Sequence, residues 1–267
     1  MKLAFIGAGK MAEALMESLL RSGVVRASSI QASDVDPARP AALSARLGIG
    51  AAADNRDAVR KVDIVFLCVK PQQLDAVLAE LAPELTARHL LISIAAGKTL
   101  ADIAKRAPGI RAIRVMPNVC CLVGAGMNVF TPGASASEED RKTAARLLGA
   151  CGLTRELPEA QFDAVTALSG SGPAFFARFL LHMVEAAQAE GLSAADALAL
   201  ANQTMLGTAR LLMEGPTDPA QLIRNVTSAR GTTAEGLAVL DQSSFADTVH
   251  AMIAAAARRS RELRQPS

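Results

Sequence analysis

The stretch NVTSARGTTAEG, residues 225–236, gathers hydroxyl side chains around a glycine just ahead of a helical pattern. Ser228, Thr232 and Thr233 offer neutral hydrogen-bond donors, and Gly231 has no side chain to shield the backbone N–H groups of the coming turn. Such a turn suits a carboxylate held without a salt bridge, each hydrogen bond to the charged group being worth about 1.5–3 kcal/mol. Thr232 and Glu235 also stand at the T-x-x-E spacing of a capping box, which predicts Thr232 as the N-cap of the helix. A well-capped helix and a ligand site are both open on spacing alone.

The other chemistry-bearing residues lie at the start of the chain. FIGAGKMAEA reads Gly7-x-Gly9-x-x-Ala12 directly after an apolar run and into a helical pattern. In that context Gly7 makes a tight turn, Gly9 lets backbone approach a pyrophosphate, and Ala12 lets helix and strand pack closely. The helix N-terminus then presents free N–H groups and a positive dipole end to the phosphates. Asp34 ends the second apolar run, where an acid binds the adenine-ribose 2′-hydroxyl of NAD, while nearby Arg39 would serve the 2′-phosphate of NADP. A turn role for Asp34 ahead of Pro37 is equally open, so the cofactor is read as NADPH or NADH. VKPQ (69–72) and SIAAG (93–97) follow further apolar runs, at the strand ends where ligands bind in such sheets. Lys70 there is a phosphate or ribose contact or simply a solvated lysine, and the small residues around Ala95 suit close approach by a planar ring.

What is missing narrows the chemistry. There is no tyrosine, which rules out a Tyr-x-x-x-Lys catalytic pair, and no lysine follows Lys142, which rules out a lysine acid in the second half. Cys68, Cys120, Cys121 and Cys151 form no C-x-x-C pair and lie far from His89, His182 and His250, so no metal site is expected. Free thiols fit a reducing compartment, and the expected location is cytoplasmic. A formal charge of +2 with no basic block gives no footprint for nucleic acid. No long apolar run is free of charge, so no membrane association is expected. The basic end of the last helix suits the negative end of its dipole. His182, mid-helix near an apolar face, reads as a packed or interface histidine before a proton relay.

These groups need a scaffold. Runs at 2–7, 29–33, 62–69, 89–96, 110–117 and 126–131 alternate with helical patterns, the first from about Lys10 to Arg21, stopped by Gly23. Pro71 is placed to open another helix at the N1 position. Such alternation predicts an α/β fold with an N-terminal Rossmann-like, doubly wound, mainly parallel sheet. Beyond about residue 160 long Ala/Leu/Met helical stretches replace strands. The expected organisation is a dinucleotide-binding domain over 1–160 and an all-α substrate-binding and dimerisation domain over 161–267. Those helices are apolar around much of their circumference, which points to burial against a second subunit.

Taken together, FIGAGKMAEAL, FLCVKPQ, SIAAG, RVMPN, LVGAG, LSGSGPAFF and VTSARGTTAEGL run the length of the chain. In this order the chain resembles the pyrroline-5-carboxylate reductases, which reduce Δ1-pyrroline-5-carboxylate to L-proline, the last step of proline biosynthesis, with NADPH or NADH. The resemblance implies a Rossmann-like domain, a helical domain that interlocks in homodimers, and frequent assembly into decamers. It places Ile6, Gly7, Ala8, Gly9, Lys10 and Met11, with Cys68, Val69, Lys70 and Pro71, along the dinucleotide, and Ser33 and Asn55 near its adenosine end. It assigns substrate binding to Ser228, Gly231, Thr232 and Thr233, with Ser228 and Thr233 as the catalytic candidates. Thr233 would give a hydrogen bond or proton to the ring nitrogen, with water or prior iminium formation as other proton sources.

Two departures from the family's pattern stand out. Ala229-Arg230 replace the usual Pro-Gly, so a positive φ at 230 would strain Arg230. Val119-Cys120-Cys121 replace the commoner Thr-Pro segment. A reductase of another cyclic imine carboxylate and a non-catalytic NAD(P)-binding sensor are the alternative functions. A β-hydroxyacid dehydrogenase would require the missing lysine.

Overall fold

The computed structural model describes residues 1–216 and 218–264. The chain divides into two compact units, Met1–Ser171 with Ala256–Ser267, and Gly172–Ala255. The first unit holds β1 (Leu3–Ile6), α1 (Lys10–Arg21), β2 (Ile30–Ser33), α2 (Ala38–Leu47), β3 (Gly50–Ala51), α3 (Asn55–Val59) and β4 (Ile64–Leu67). It continues with α4 (Leu74–Leu81), β5 (Leu90–Ser93), α5 (Leu100–Arg106), β6 (Arg111–Met116), β7 (Gly126–Pro132), α6 (Glu138–Gly149), β8 (Gly152–Glu156) and a short α7 (Phe162–Val165).

The strands form one sheet in the order β3-β2-β1-β4-β5-β6-β7-β8. β1 to β6 pair in parallel, β7 runs antiparallel to β6, and β8 is parallel to β7. This is the mainly parallel, doubly wound sheet that the alternating pattern predicts. Every residue of β1 and β4 is buried, as in strands covered on both faces. The twofold side-chain period still sorts them. Leu3, Phe5, Ile64, Phe66 and Ile92 join the core on the α1 and α6 face. Ala4, Ile6, Val65, Leu67 and Leu91 join the core under α4 and α5. Phe5 and Phe66 are register partners, and their rings stack with centroids 4.6 Å apart.

The strand order reverses between β1 and β4, each bonded on its other side to β2 and β5. A crevice opens at the carboxyl ends of strands at such a point, and it lies just beyond Ile6 and Leu67. Two strands were not legible in the sequence. β3 is two exposed residues, and β8 (GLTRE) is a half-exposed edge strand with charged residues. Pro71 opens a 3-10 turn, Pro71–Gln73, that runs on into α4.

After α7 the helix widens to a π turn over Thr166–Gly170. The Asn118 amide donates to the Ser169 carbonyl at 3.1 Å, and a Cβ on Gly170 would meet the Met116 methyl. The glycine of LSGSG thus lets RVMPN pack beneath it. Asp163 of α7 accepts from Ser260 Oγ at 2.8 Å and pairs with Arg264.

The second unit comprises α8 (Gly172–Ala189), α9 (Ala194–Glu214), α10 (Pro219–Val226), α11 (Thr232–Gln242) and the first part of α12 (Phe245–Glu262). Phe176, Phe179, Leu200, Leu211, Met213 and Val239 of these helices are exposed in the single chain. The helical stretch Glu159–Ala189 has the length and mean hydropathy of a membrane span, 1.2 over its best window. His182 does not pack inside the unit. It is exposed, with Nδ1 2.8 Å from Glu185 Oε2.

Candidate active site

A cavity of about 1340 Å³ lies at the carboxyl ends of the first unit's strands. Its floor is the β1–α1 loop. Gly7 has φ +97°, and a Cβ there would stand 2.8 Å from the Cys68 carbonyl carbon and oxygen. Only glycine lets this turn pass the β4 end. Gly9 is the N-cap of α1, with no side chain capping it, and a Cβ there would meet nothing within 4 Å. The α1 N-terminus is therefore uncapped beside open space, as a pyrophosphate requires. This bare cradle and the cavity's volume fit a dinucleotide.

Of the residues expected along the cofactor, Gly7, Ala8, Gly9, Lys10, Met11, Asn55, Cys68, Val69, Lys70 and Pro71 line the cavity. Ile6, Ser33 and Ala95 do not. All three are buried, and the neighbours Ile94 and Ala96 form the wall beside Ala95. Ser33 acts one step back, donating to Asn55 Oδ1 at 2.8 Å, while the Asn55 amide donates to Glu80 at 2.9 Å. Burial pushes the Cys68 thiol far up, so it meets the cavity as a neutral thiol.

Further lining residues are Asp34, Val35, Arg39, Arg46, Met116 and Pro117. Met116 and Pro117 belong to RVMPN at the end of β6. The general rule that strand carboxyl ends meet the ligand could have found them. Asp34 turns out to brace the loop: its Oδ2 accepts the Ala8 N–H at 2.7 Å and its Oδ1 the Asp36 N–H at 3.0 Å.

Cys120 and Cys121 sit in a 3-10 turn, Val119–Val123. Cys121 is fully buried and its thiol donates to Asn128 Oδ1 at 3.2 Å. Its hydrogen bond with Cys121, then burial, pushes the Cys151 thiol up. All four cysteines are free. Among the described residues no cluster of His, Cys, Asp and Glu could hold a metal ion.

The turn at 228–233 belongs to the second unit. Its capping differs from the predicted one. Gly231, extended at φ −86° and ψ 165°, is the N-cap of α11, and Thr232 is the first helical residue. The Gly231 carbonyl accepts the Glu235 N–H at 3.3 Å, and no side chain caps the helix, so the Thr232–Glu235 box does not form. A Cβ at 231 would crowd Ser228 Oγ and lie 3.1 Å from the Ser228 carbonyl, a closeness that glycine avoids. Capping boxes do form at Thr99–Asp102 and Ser137–Asp140, where the first residue is free to be extended. Ser228, Thr232 and Thr233 are all exposed, and their hydroxyls are not consumed in capping. Arg230 takes φ 57°, the one positive φ outside glycine among the described residues.

The sheet, the reversal point and the bare glycine loop define a dinucleotide-binding protein of the Rossmann class. Residues 2–97 match the family model for NADP oxidoreductase, coenzyme F420-dependent, and residues 159–263 match that for pyrroline-5-carboxylate reductase dimerisation. A pyrroline-5-carboxylate reductase of Methanosarcina acetivorans is 41% identical over 98% of this chain and 97% of its own. The solved pyrroline-5-carboxylate reductase of Coxiella burnetii superposes with a TM-score of 0.93 at 31% identity, covering 99% of both chains. The Plasmodium falciparum pyrroline carboxylate reductase, solved with NADP bound, gives 0.89 at 28% identity, covering 99% of this chain and 98% of that one. The chain belongs to the pyrroline-5-carboxylate reductase family.

Proposed function

We propose that this chain reduces the C=N bond of Δ1-pyrroline-5-carboxylate to give L-proline, the closing step of proline biosynthesis, with NADPH or NADH as reductant. Family membership supports the reaction. The structural observation that carries it is the turn at 228–233, with a glycine cap and three exposed, unspent hydroxyls.

A bound reduced dinucleotide would supply the hydride that the imine carbon takes up, and the balancing proton on the ring nitrogen comes from water, by iminium formation before the transfer or by protonation after it. The glycine loop and the α1 N-terminus hold its pyrophosphate, and Lys10 and Lys70 add positive charge at the same wall. Ser228, Gly231 and Thr232 hold the substrate carboxylate through hydroxyls and backbone N–H groups. The Thr233 hydroxyl donates to the ring nitrogen, orienting the C=N bond and supporting the amine that forms. No strong acid is needed, and the gain is mostly orientation. The chain acts as a homodimer through its helical segment, as the match to the dimerisation model supports. Four free thiols agree with a reducing, cytoplasmic setting.

The test is consumption of the reduced dinucleotide on addition of pyrroline-5-carboxylate, followed by absorbance. Thr233→Ala should cut kcat by about 10- to 100-fold, the worth of one hydrogen bond to a charged group, and leave dinucleotide affinity intact. Wild-type kcat in that variant removes Thr233 from the reaction, and an inert wild-type protein removes the function.

A further inference from the structure

We infer that a second, smaller cavity of the first unit binds an inorganic phosphate anion at a site separate from the dinucleotide cavity. The site lies outside the reaction proposed above and does not depend on it.

The cavity holds about 200 Å³ and is lined by Lys98, Lys105, Arg106 and Arg264, with the acids Asp75 and Asp102. Its cations come from three stretches that the fold brings together: the end of SIAAGK, the last turn of α5, and the residues just past α12. All of them belong to the first unit. Gly97 lets these stretches meet. A Cβ there would lie 3.3 Å from the Leu263 carbonyl oxygen, so a bare backbone lets the 263–264 segment close the cavity against the loop. The two cavities share no lining residue. Ile94 and Ala96 face the first and Gly97 and Lys98 the second, while on α4 Ala76 and Val77 face the first and Asp75 the second.

The acids are engaged by the fold. Asp102 Oδ2 accepts the N–H and the hydroxyl of Thr99, at 2.7 and 2.9 Å, in the α5 capping box. Asp75 lies 3.0 Å from Lys98 Nζ and 3.6 Å from Arg106 Nε, one carboxylate against two cations. Arg264 is paired with Asp163, which is buried and bonded to Ser260, so that guanidinium is held in place. Lys105 is exposed and makes no ion pair among the described residues. Even with Asp163 counted, four cations face three acids. A concave site with a positive surplus concentrates anions. Donors converging from three directions suit the several acceptor oxygens of a phosphate, to which charged donors bond strongly. The space is far smaller than the 1340 Å³ of the dinucleotide cavity, which suits phosphate or pyrophosphate rather than a nucleotide. An anion bound here competes with Asp75 for Lys98 and Arg106.

The experiment titrates the full-length protein with inorganic pyrophosphate by isothermal calorimetry at low ionic strength, with the dinucleotide cavity first filled by saturating NADPH. Pyrophosphate should bind with a Kd below about 1 mM. Lys98→Gln and Lys105→Gln should each raise that Kd by about two- to fivefold, the range of a part-exposed charge pair. Asp75→Asn should lower it by a similar factor, because the competing carboxylate is gone while Lys98 and Arg106 remain. These opposite signs separate an anion site from a general loosening of the fold, which would weaken binding in all three variants. A Kd above about 1 mM overturns the inference, as does a Kd that is unmoved, or raised, in all three folded variants.

Discussion

Gly7→Ala and Gly9→Ala place the same added methyl two residues apart, and the structure assigns them opposite consequences. At Gly7 the new Cβ meets Cys68 C and O at 2.8 Å and Val69 N at 3.1 Å, all of them backbone. Both strands are held in register through Ile6 and Leu67, so neither side yields cheaply. A non-glycine residue at φ +97° adds about 1–3 kcal/mol of strain, and overpacking about 1–3 kcal/mol more. At about 2–4 °C per kcal/mol for a unit of this size, the Tm should fall by roughly 5–20 °C. Gly9 has φ −79° and ψ 179°, which alanine adopts freely, and its Cβ would meet nothing within 4 Å. Gly9→Ala should therefore keep its Tm or gain slightly, since alanine restricts the unfolded chain by about 0.4–1 kcal/mol. That methyl would instead stand where the pyrophosphate must approach, and dinucleotide Kd should rise at least about tenfold. Thermal unfolding by circular dichroism and a fluorescence titration read the two effects separately. Wild-type stability in Gly7→Ala, or wild-type dinucleotide affinity in Gly9→Ala, refutes the reasoning about the loop.

Two other outcomes follow from the structure. Arg230→Gly removes an arginine from φ 57°, a relief of about 1–2 kcal/mol set against about 0.5–1 kcal/mol of glycine entropy, so the Tm should rise by about 1–4 °C; KM for the imine should stay within about twofold, because an exposed guanidinium adds little. Asp75 lies 3.0 Å from Lys98 Nζ and 3.6 Å from Arg106 Nε, and first the Lys98 hydrogen bond lowers its pKa from 3.8. A depressed carboxylate stabilises the fold above its unfolded pKa and loses that contribution as pH falls through the folded value. Asp75→Asn should thus cost at most about 1 kcal/mol at pH 7 for this exposed pair, with the gap in Tm closing below pH 3.8.

Much of this was legible in the residues themselves. The apolar runs of β1, β4 and β5, buried on both faces, mark central strands because a parallel sheet leaves them no polar side. The Gly7-x-Gly9-x-x-Ala12 spacing marks the loop because each of its small residues answers a local steric demand. β8 was hidden because a half-exposed edge strand follows no apolar rule. The Thr232–Glu235 capping box failed for the opposite reason. Its local signal was present, but the Gly231 carbonyl takes the Glu235 N–H and Thr232 becomes the first helical residue, so the Thr232 hydroxyl is not in the cap position.

The sequence by itself determined the fold class, the central strands and the loop that faces a dinucleotide, since these follow from side-chain period and from where a Cβ cannot be; the strand order and its reversal point came from the structure. Only the tertiary structure decided what Asp34, Ser33 and Arg39 do. A carboxylate at a strand end fits a ribose or a turn equally well until its partners are known, and one of those partners comes from a distant part of the chain. Ala8, 26 residues before Asp34, fixes it through a single N–H. Hydrogen bonds of that kind depend on where two strands end beside each other, and no linear pattern records it.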